Sequence, residues 1–264
     1  MLTFEPHPAD FFARAPVIFR LTPRDAKARM LERLGLDGMI VLSFDAALAG
    51  LPAEAFVADI LVRRLGAAAV VAGYDFHFGK HRAGTPAYLE AAGRQHGFAV
   101  EIVPRITADA AGALDAVSST ATREALERGD VARAREFLGE DYFVMGQVVH
   151  GRQLGRALGF PTANIALDPS CRLAHGIYAV RVNLDGAAFG GVASYGRRPT
   201  FDNGPPLLEV YLFDFSGDLY GRAIEVAFAE FLRGEAKFET VEALVAAMRG
   251  DEARARAVLS ARQH

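Results

Sequence analysis

Residues 146–165 of this chain read GQVVHGRQLGRALGFPTANI. Gly146, Gly151, Gly155 and Gly159 alternate with Arg152 and Arg156, and the run closes on Pro161-Thr162-Ala163-Asn164. Glycines let a backbone turn tightly and bring its N–H groups close to an anion. Arginines add charge-assisted donors. The Thr162 hydroxyl and the Asn164 amide oxygen stand two residues apart, entering a strand at Ile165, so they share one side of the chain. Such a pair can reach a hard cation such as Mg2+, which takes oxygen ligands and often sits on substrate phosphates. The stretch reads as a phosphate and metal cradle. The glycines alone equally describe a surface loop between two strands.

A second group lies at 207–215, LLEVYLFDF. Alternation puts Leu208, Val210 and Leu212 on one face and Glu209, Tyr211 and Phe213 on the other. A carboxylate between apolar neighbours loses hydration, which raises its pKa toward that of a useful base. Glu209 is thus a candidate to take a proton from an attacking hydroxyl; the alternative is a solvated glutamate on an edge strand. Residues 73–79, GYDFHFG, follow a strand, and open α/β sheets bind ligands at the carboxyl ends of their strands. Tyr74, Phe76 and Phe78 can form a stacking wall for a flat ring after the Gly73 turn, with Asp75 accepting a hydrogen bond. A loop anchored in the core by its aromatics is the other reading. At 118–123, Ser118, Ser119 and Thr120 open a helix whose free N–H groups can bind phosphate, and Arg123 lies one turn on. An ordinary N-cap has the same pattern. His77 and His81 have a helical metal-ligand spacing, but Gly79 separates them and no third ligand is near.

These groups need elements to hold them. Residues 1–138 alternate strand-like runs (2–4, 39–44, 67–72, 98–103) with helical patterns. The helices are expected at 22–34, with Thr22 as cap and Pro23 at the first position, then from Pro52 to Gly66, at 86–96, at 119–128 and at 131–138. The run 39–44 reads as a buried strand. Strands alternating with helices argue for a parallel sheet covered on both faces. Near Gly139 the pattern changes. Strand-like runs at 142–149, 177–183, 188–193, 207–215 and 223–231 are separated by turn signals, without helical crossovers, which suggests a small antiparallel barrel. Residues 240–261 return to helix, with Val241, Leu244, Val245 and Met248 on one face.

The 264 residues carry a net charge of −3, which gives no broad basic surface for nucleic acid. No apolar run approaches a membrane span, and MLTFEPHPAD lacks the regions of a signal peptide. Cys171 is the single cysteine, so no intrachain disulfide forms and a reducing, cytoplasmic setting is expected. Nothing in the pattern sets an oligomeric state.

In series, the motifs resemble the prokaryotic bifunctional riboflavin kinase/FAD synthetase family over essentially the whole chain. They are TFEPHP (3–8), GYDFHFGKHRAG (73–84), SSTATR (118–123), GRALGFPTANI (155–165), GRRPTF (196–201), LEVYLFDF (208–215), DLYG (218–221) and FLRGEAKF (231–238). The resemblance implies a Rossmann-like nucleotidyltransferase domain over 1–140 and a riboflavin kinase barrel with C-terminal helices over 141–264. It implies two reactions: riboflavin with ATP and Mg2+ to FMN, and FMN with ATP to FAD. By motif, Thr162 and Asn164 would ligate Mg2+, the glycine run before them would wrap ATP, and Glu209 would be the base. Ser118, Ser119, Thr120 and Arg123 would bind the second ATP, with Gly73, Asp75, Phe76 and Phe78 on its flavin side. A flavin- or nucleotide-binding module without catalysis is the rival reading, against which the intact Thr162, Asn164 and Glu209 set argues.

Two positions depart from the family. Ser194-Tyr195 stands before Gly196 where the family usually has Asn and an aliphatic residue, so a local contact differs. The family also carries a strand and an H-x-G-H turn before TFEPHP, which here begins at Thr3. None of the histidines at 7, 77, 81, 96, 150, 175 and 264 has that spacing. The sheet is therefore expected to be incomplete at its start and adenylylation impaired in the chain as written. A start assigned too late, a truncated chain and a real loss of adenylylation all fit this departure, and the intact SSTATR and GYDFHFG favour the first, with Met1 internal to a longer protein.

Overall fold

The computed structural model describes residues 1–107, 117–150, 159–196 and 206–262. Contacts divide it into two compact units, Met1–Ile18 with Asp37–Val117, and Phe19–Leu36 with Ser118–His264.

In the first unit, β1 (Leu2–Glu5) leads into the short α1 (Pro8–Ala13), whose N-cap is His7. Helix α2 (Arg24–Arg33) belongs to the second unit. It starts one residue later than its sequence suggests: Pro23 is the N-cap and no side chain caps the helix. Strand β2 (Ile40–Ser43) pairs in parallel with β1, Leu2 opposite Ile40. After α3 (Ala46–Ala49) comes α4 (Ala53–Ala55), which continues as a π-wound helix over Phe56–Arg64. One side of it is buried through Phe56, Val57, Ile60 and Leu61. Strand β3 (Ala69–Gly73) pairs in parallel with β4 (Ala99–Val103) across α5 (Pro86–His96). Thr85 caps α5 by accepting from the Tyr88 N–H at 3.1 Å, and Pro86 fills its first turn.

The expected parallel pairing is present. Among the described residues it forms two two-stranded sheets, β1-β2 and β3-β4, rather than one continuous sheet. Every strand is then an edge strand, and Ile40 and Val71 stay 46% and 64% exposed. The buried strand expected at 39–44 is corrected accordingly: β2 has no fully buried residue, and only Leu42 packs against the core.

The second unit holds α6 (Ser119–Glu127) and α7 (Val131–Leu138), then a closed antiparallel barrel. Its strands are β5 (Phe143–Val149), β6 (Thr162–Ile165), β7 (Gly176–Leu184), β8 (Ala187–Gly196), β9 (Leu207–Leu212) and β10 (Ala223–Arg233). They close in the order β10-β5-β6-β9-β8-β7. Closure removes free sheet edges. Inward residues Val144, Val148, Ala163, Ile165, Leu208, Val210 and Leu212 share one core with Leu126, Val131 and Phe19. Helix α8 (Val241–Ala261) is capped by Thr240, which accepts from the Ala243 N–H at 3.1 Å. Its second half packs Ala255 and Leu259 against Ala179, Phe213 and Leu232 on the outside of the barrel.

Candidate active site

The side-chain period of a strand decides what reaches the site. In β6, Ala163 and Ile165 point into the barrel core, so Thr162 and Asn164 point outward. Both already lie within the strand, which begins three residues before Ile165. In β9, Leu208, Val210 and Leu212 point inward, so Glu209 and Tyr211 point outward, as the alternation predicts. Register aligns the two sets: Asn164 lies opposite Glu209, and Thr162 opposite Tyr211. Directly opposite residues share a face. The row continues across the neighbouring strands, with Ser194 opposite Glu209, Ile177 opposite Ser194 and Arg233 opposite Ile177.

This row floors a cavity of about 610 Å3 that includes Thr162, Ser194, Glu209 and Tyr211. Phe160 stands at one end, edge-on to Tyr211 with ring centroids 5.2 Å apart. The segment after β10 and the first half of α8 supply the other wall through Phe238, Val241, Leu244 and Met248. The volume is that of a site for a small organic molecule. A two-bonded ion pair holds the wall in place. Arg233 Nε donates to Asp251 Oδ1 at 2.9 Å, and Arg233 Nη2 donates to Oδ2 at 2.7 Å. Glu209, Glu235 and Glu239 add carboxylates to the lining.

Asn164 is only 5% exposed, and its oxygen and that of Thr162 are hard donors on one strand face. This chemistry suits an oxygen-seeking divalent cation. Gly146 lies within β5, where a Cβ would come within 2.4 Å of Ile165 Cγ2, so glycine lets β5 and β6 approach. Gly159 adopts φ +84° just before the strand, a left-handed turn that favours glycine. Gly151, Arg152, Gly155 and Arg156 lie outside the described residues.

The other predicted residues fall elsewhere. Ser118 Oγ accepts from the Ala121 N–H at 3.1 Å and so caps α6, while Ser119 and Thr120 are exposed in its first turn. Arg123 Nε donates to the Phe19 carbonyl at 2.6 Å, and burial, reinforced by Arg172, lowers its pKa. In the first unit, Gly73 ends β3 and the Asp75 carbonyl lies 2.8 Å from His77 Nδ1. Phe78 is 6% exposed and packs on Phe56, so the open stacking surface reduces to Tyr74 and the free side of Phe76. In the sequence Ser194 stood out only as a departure from the family, Arg233 and Phe238 only as members of FLRGEAKF, and Asp251 not at all. The apolar face of 240–248, longer than the core uses, was the available signal.

A family model described as riboflavin kinase matches residues 138–259, over the barrel and α8, and one described as FAD synthetase matches residues 1–121. A Haemophilus influenzae protein named bifunctional riboflavin kinase/FMN adenylyltransferase is 41% identical over 245 residues, covering 92% of this chain and 78% of the relative. The chain belongs to the bifunctional riboflavin kinase/FMN adenylyltransferase family. Its Pseudomonas fluorescens relative of the same name is 40% identical over 273 residues, covering all of this chain and 84% of the relative. Among solved structures, a Streptococcus pneumoniae chain titled as a macrolide-efflux protein is 32% identical with a TM-score of 0.80, covering 97% of this chain and 82% of its own. Among the described residues here, no helix is long and apolar enough to cross a membrane.

Proposed function

We propose that this member of the family makes flavin cofactors and that its barrel phosphorylates riboflavin to FMN at the cavity floored by Glu209. The observation that carries this reading is the register of β6 and β9. It sets two hard oxygen donors and a carboxylate on one face of the barrel, and of these Thr162 and Glu209 line the apolar-walled cavity.

The apolar walls of the cavity suit a flat organic ring. Riboflavin would place its ring against Ile177, Phe238 and the apolar face of α8, with its terminal hydroxyl at Glu209. Glu209 accepts the proton of that hydroxyl as its oxygen bonds to the γ-phosphorus of ATP, and the bond from phosphorus to the β-phosphate oxygen breaks to release ADP. Such transfers need positioning and charge neutralisation more than covalent help. Mg2+, when held by Thr162 and Asn164, would neutralise phosphate charge. Gly146, Gly151, Arg152, Gly155, Arg156 and Gly159 belong to the segment assigned to ATP. In this reading the kinase half spans 141–264 and the adenylyltransferase half 1–140, with Ser118, Ser119, Thr120 and Arg123 on its ATP and Gly73, Asp75, Phe76 and Phe78 on its flavin side. A cytoplasmic location fits the lone, half-buried Cys171.

The test is to incubate the 264-residue chain with riboflavin, ATP and Mg2+ and separate the flavins. FMN with little FAD is expected, because no H-x-G-H pattern occurs in these residues. Absence of FMN would sink the kinase assignment, and abundant FAD would sink the impaired adenylylation.

A further inference from the structure

Ser194 is the cross-strand neighbour of Glu209 and lines the same cavity. Both side chains stand on the outer face of the barrel, on strands about 4.8 Å apart. The Ser194 hydroxyl makes no hydrogen bond within the described structure, and it is not fully buried. Backbone pairing on both sides, to β9 and to β7, fixes its position, and its flanking residues Ala193 and Tyr195 are locked in the interior. A hydroxyl held this firmly, beside a carboxylate and open to a cavity, is placed to meet a polar group of the occupant.

The order along the row says which group. Asn164 lies on the side of Glu209 toward the cation donors, and Ser194 lies on the opposite side, followed by the apolar Ile177. An acceptor with its terminal hydroxyl at Glu209 and its ring beyond Ile177 must lay the intervening chain across Ser194. For riboflavin that chain is a polyol. We propose that Ser194 is a specificity-determining residue, whose hydroxyl hydrogen-bonds an inner hydroxyl of the acceptor's polyol chain. The contact selects polyhydroxylated side chains over plain hydroxyalkyl ones and fixes the length of chain between ring and base. The inference rests on the assignment of Glu209 as the base at this cavity.

The experiment compares two acceptors on the full chain: riboflavin, and a flavin with a side chain of equal length that bears only the terminal hydroxyl. Ser194→Ala should lower kcat/KM for riboflavin about tenfold, the size of one hydrogen bond to substrate, and leave the value for the plain analogue unchanged. Ser194→Thr, which keeps the hydroxyl, should recover most of the riboflavin value. No loss with riboflavin, or an equal loss on both acceptors, overturns the proposal; an equal loss would mark a structural role. Glu209→Gln in the same assay separates the two readings. It should lower turnover of both acceptors by about 10²–10⁴, and wild-type turnover in that variant would remove the base while the Ser194 comparison still reads out its own contact.

Discussion

Glu209 sits between two inward-facing residues, Leu208 and Val210, which lock its strand and aim its carboxylate at the cavity. Replacing this proposed base should leave the fold intact. Glu209→Gln is expected to lower kcat for FMN formation by about 10²–10⁴ with little change in nucleotide affinity, measured by steady-state kinetics and ATP titration. With Thr162 as a proposed Mg2+ ligand, Thr162→Val should raise the Mg2+ concentration for half-maximal rate, or lower the rate, by about tenfold or more. Cys171 has a different prospect. Burial pushes its thiol up, and burial likewise raises the phenols of Tyr142 and Tyr178. All three are neutral acids with raised folded values. Their contribution to stability is complete below the unfolded pKa, about 8.5 for a thiol and about 10 for a phenol, and is lost as pH rises through the folded values. Melting temperature should therefore fall above about pH 9, and iodoacetamide should label Cys171 only after denaturation at pH 7.5.

Between strand and helix, Arg233 and Asp251 join the end of β10 to the middle of α8. Arg254 adds a bond to the Leu232 carbonyl at 2.8 Å and reaches Glu230. The second half of α8 is anchored by Ala255 and Leu259, but the first half keeps Val241, Leu244 and Met248 only partly covered, against the cavity. The ion pair is what holds that half in place. Arg233→Ala strands the mostly buried Asp251 carboxylate and should cost about 1–3 kcal/mol of stability. It should also raise KM for riboflavin more than it lowers kcat, because the ring's wall moves and the base does not. Thermal melts and a KM-against-kcat comparison check both parts.

On the scale of the molecule, packing and chemistry divide the chain at different places. The proposed kinase half begins at 141, yet Leu126, Val131 and Ala134 of α6 and α7 and Phe19 near α2 belong to the barrel's own core. Each large apolar side chain lost from such a core exposes surface worth about 1.5–3 kcal/mol. A fragment beginning at Ser118 should therefore melt several degrees above one beginning at Asp141, as read by circular dichroism, while both carry the complete Glu209 row. Equal melting would show that α6 and α7 do not support the barrel.

The sequence by itself determined the face of β9 on which Glu209 stands, because alternation is local and needs no partner strand. It also determined the helices at 86–96 and 131–138, whose start and stop residues lie within a few positions of each other. The motif series identified the family, which neither the charge nor the glycines could do. Only the tertiary structure decided what lies beside what. Register brought Asn164, Glu209 and Ser194 into one row from three strands, and hydrogen bonding between strands far apart in sequence leaves no local trace. Among the described residues it also divides the parallel pairing between two two-stranded sheets and buries Phe78. Both depend on long-range packing, which decides burial and which no short window of residues contains.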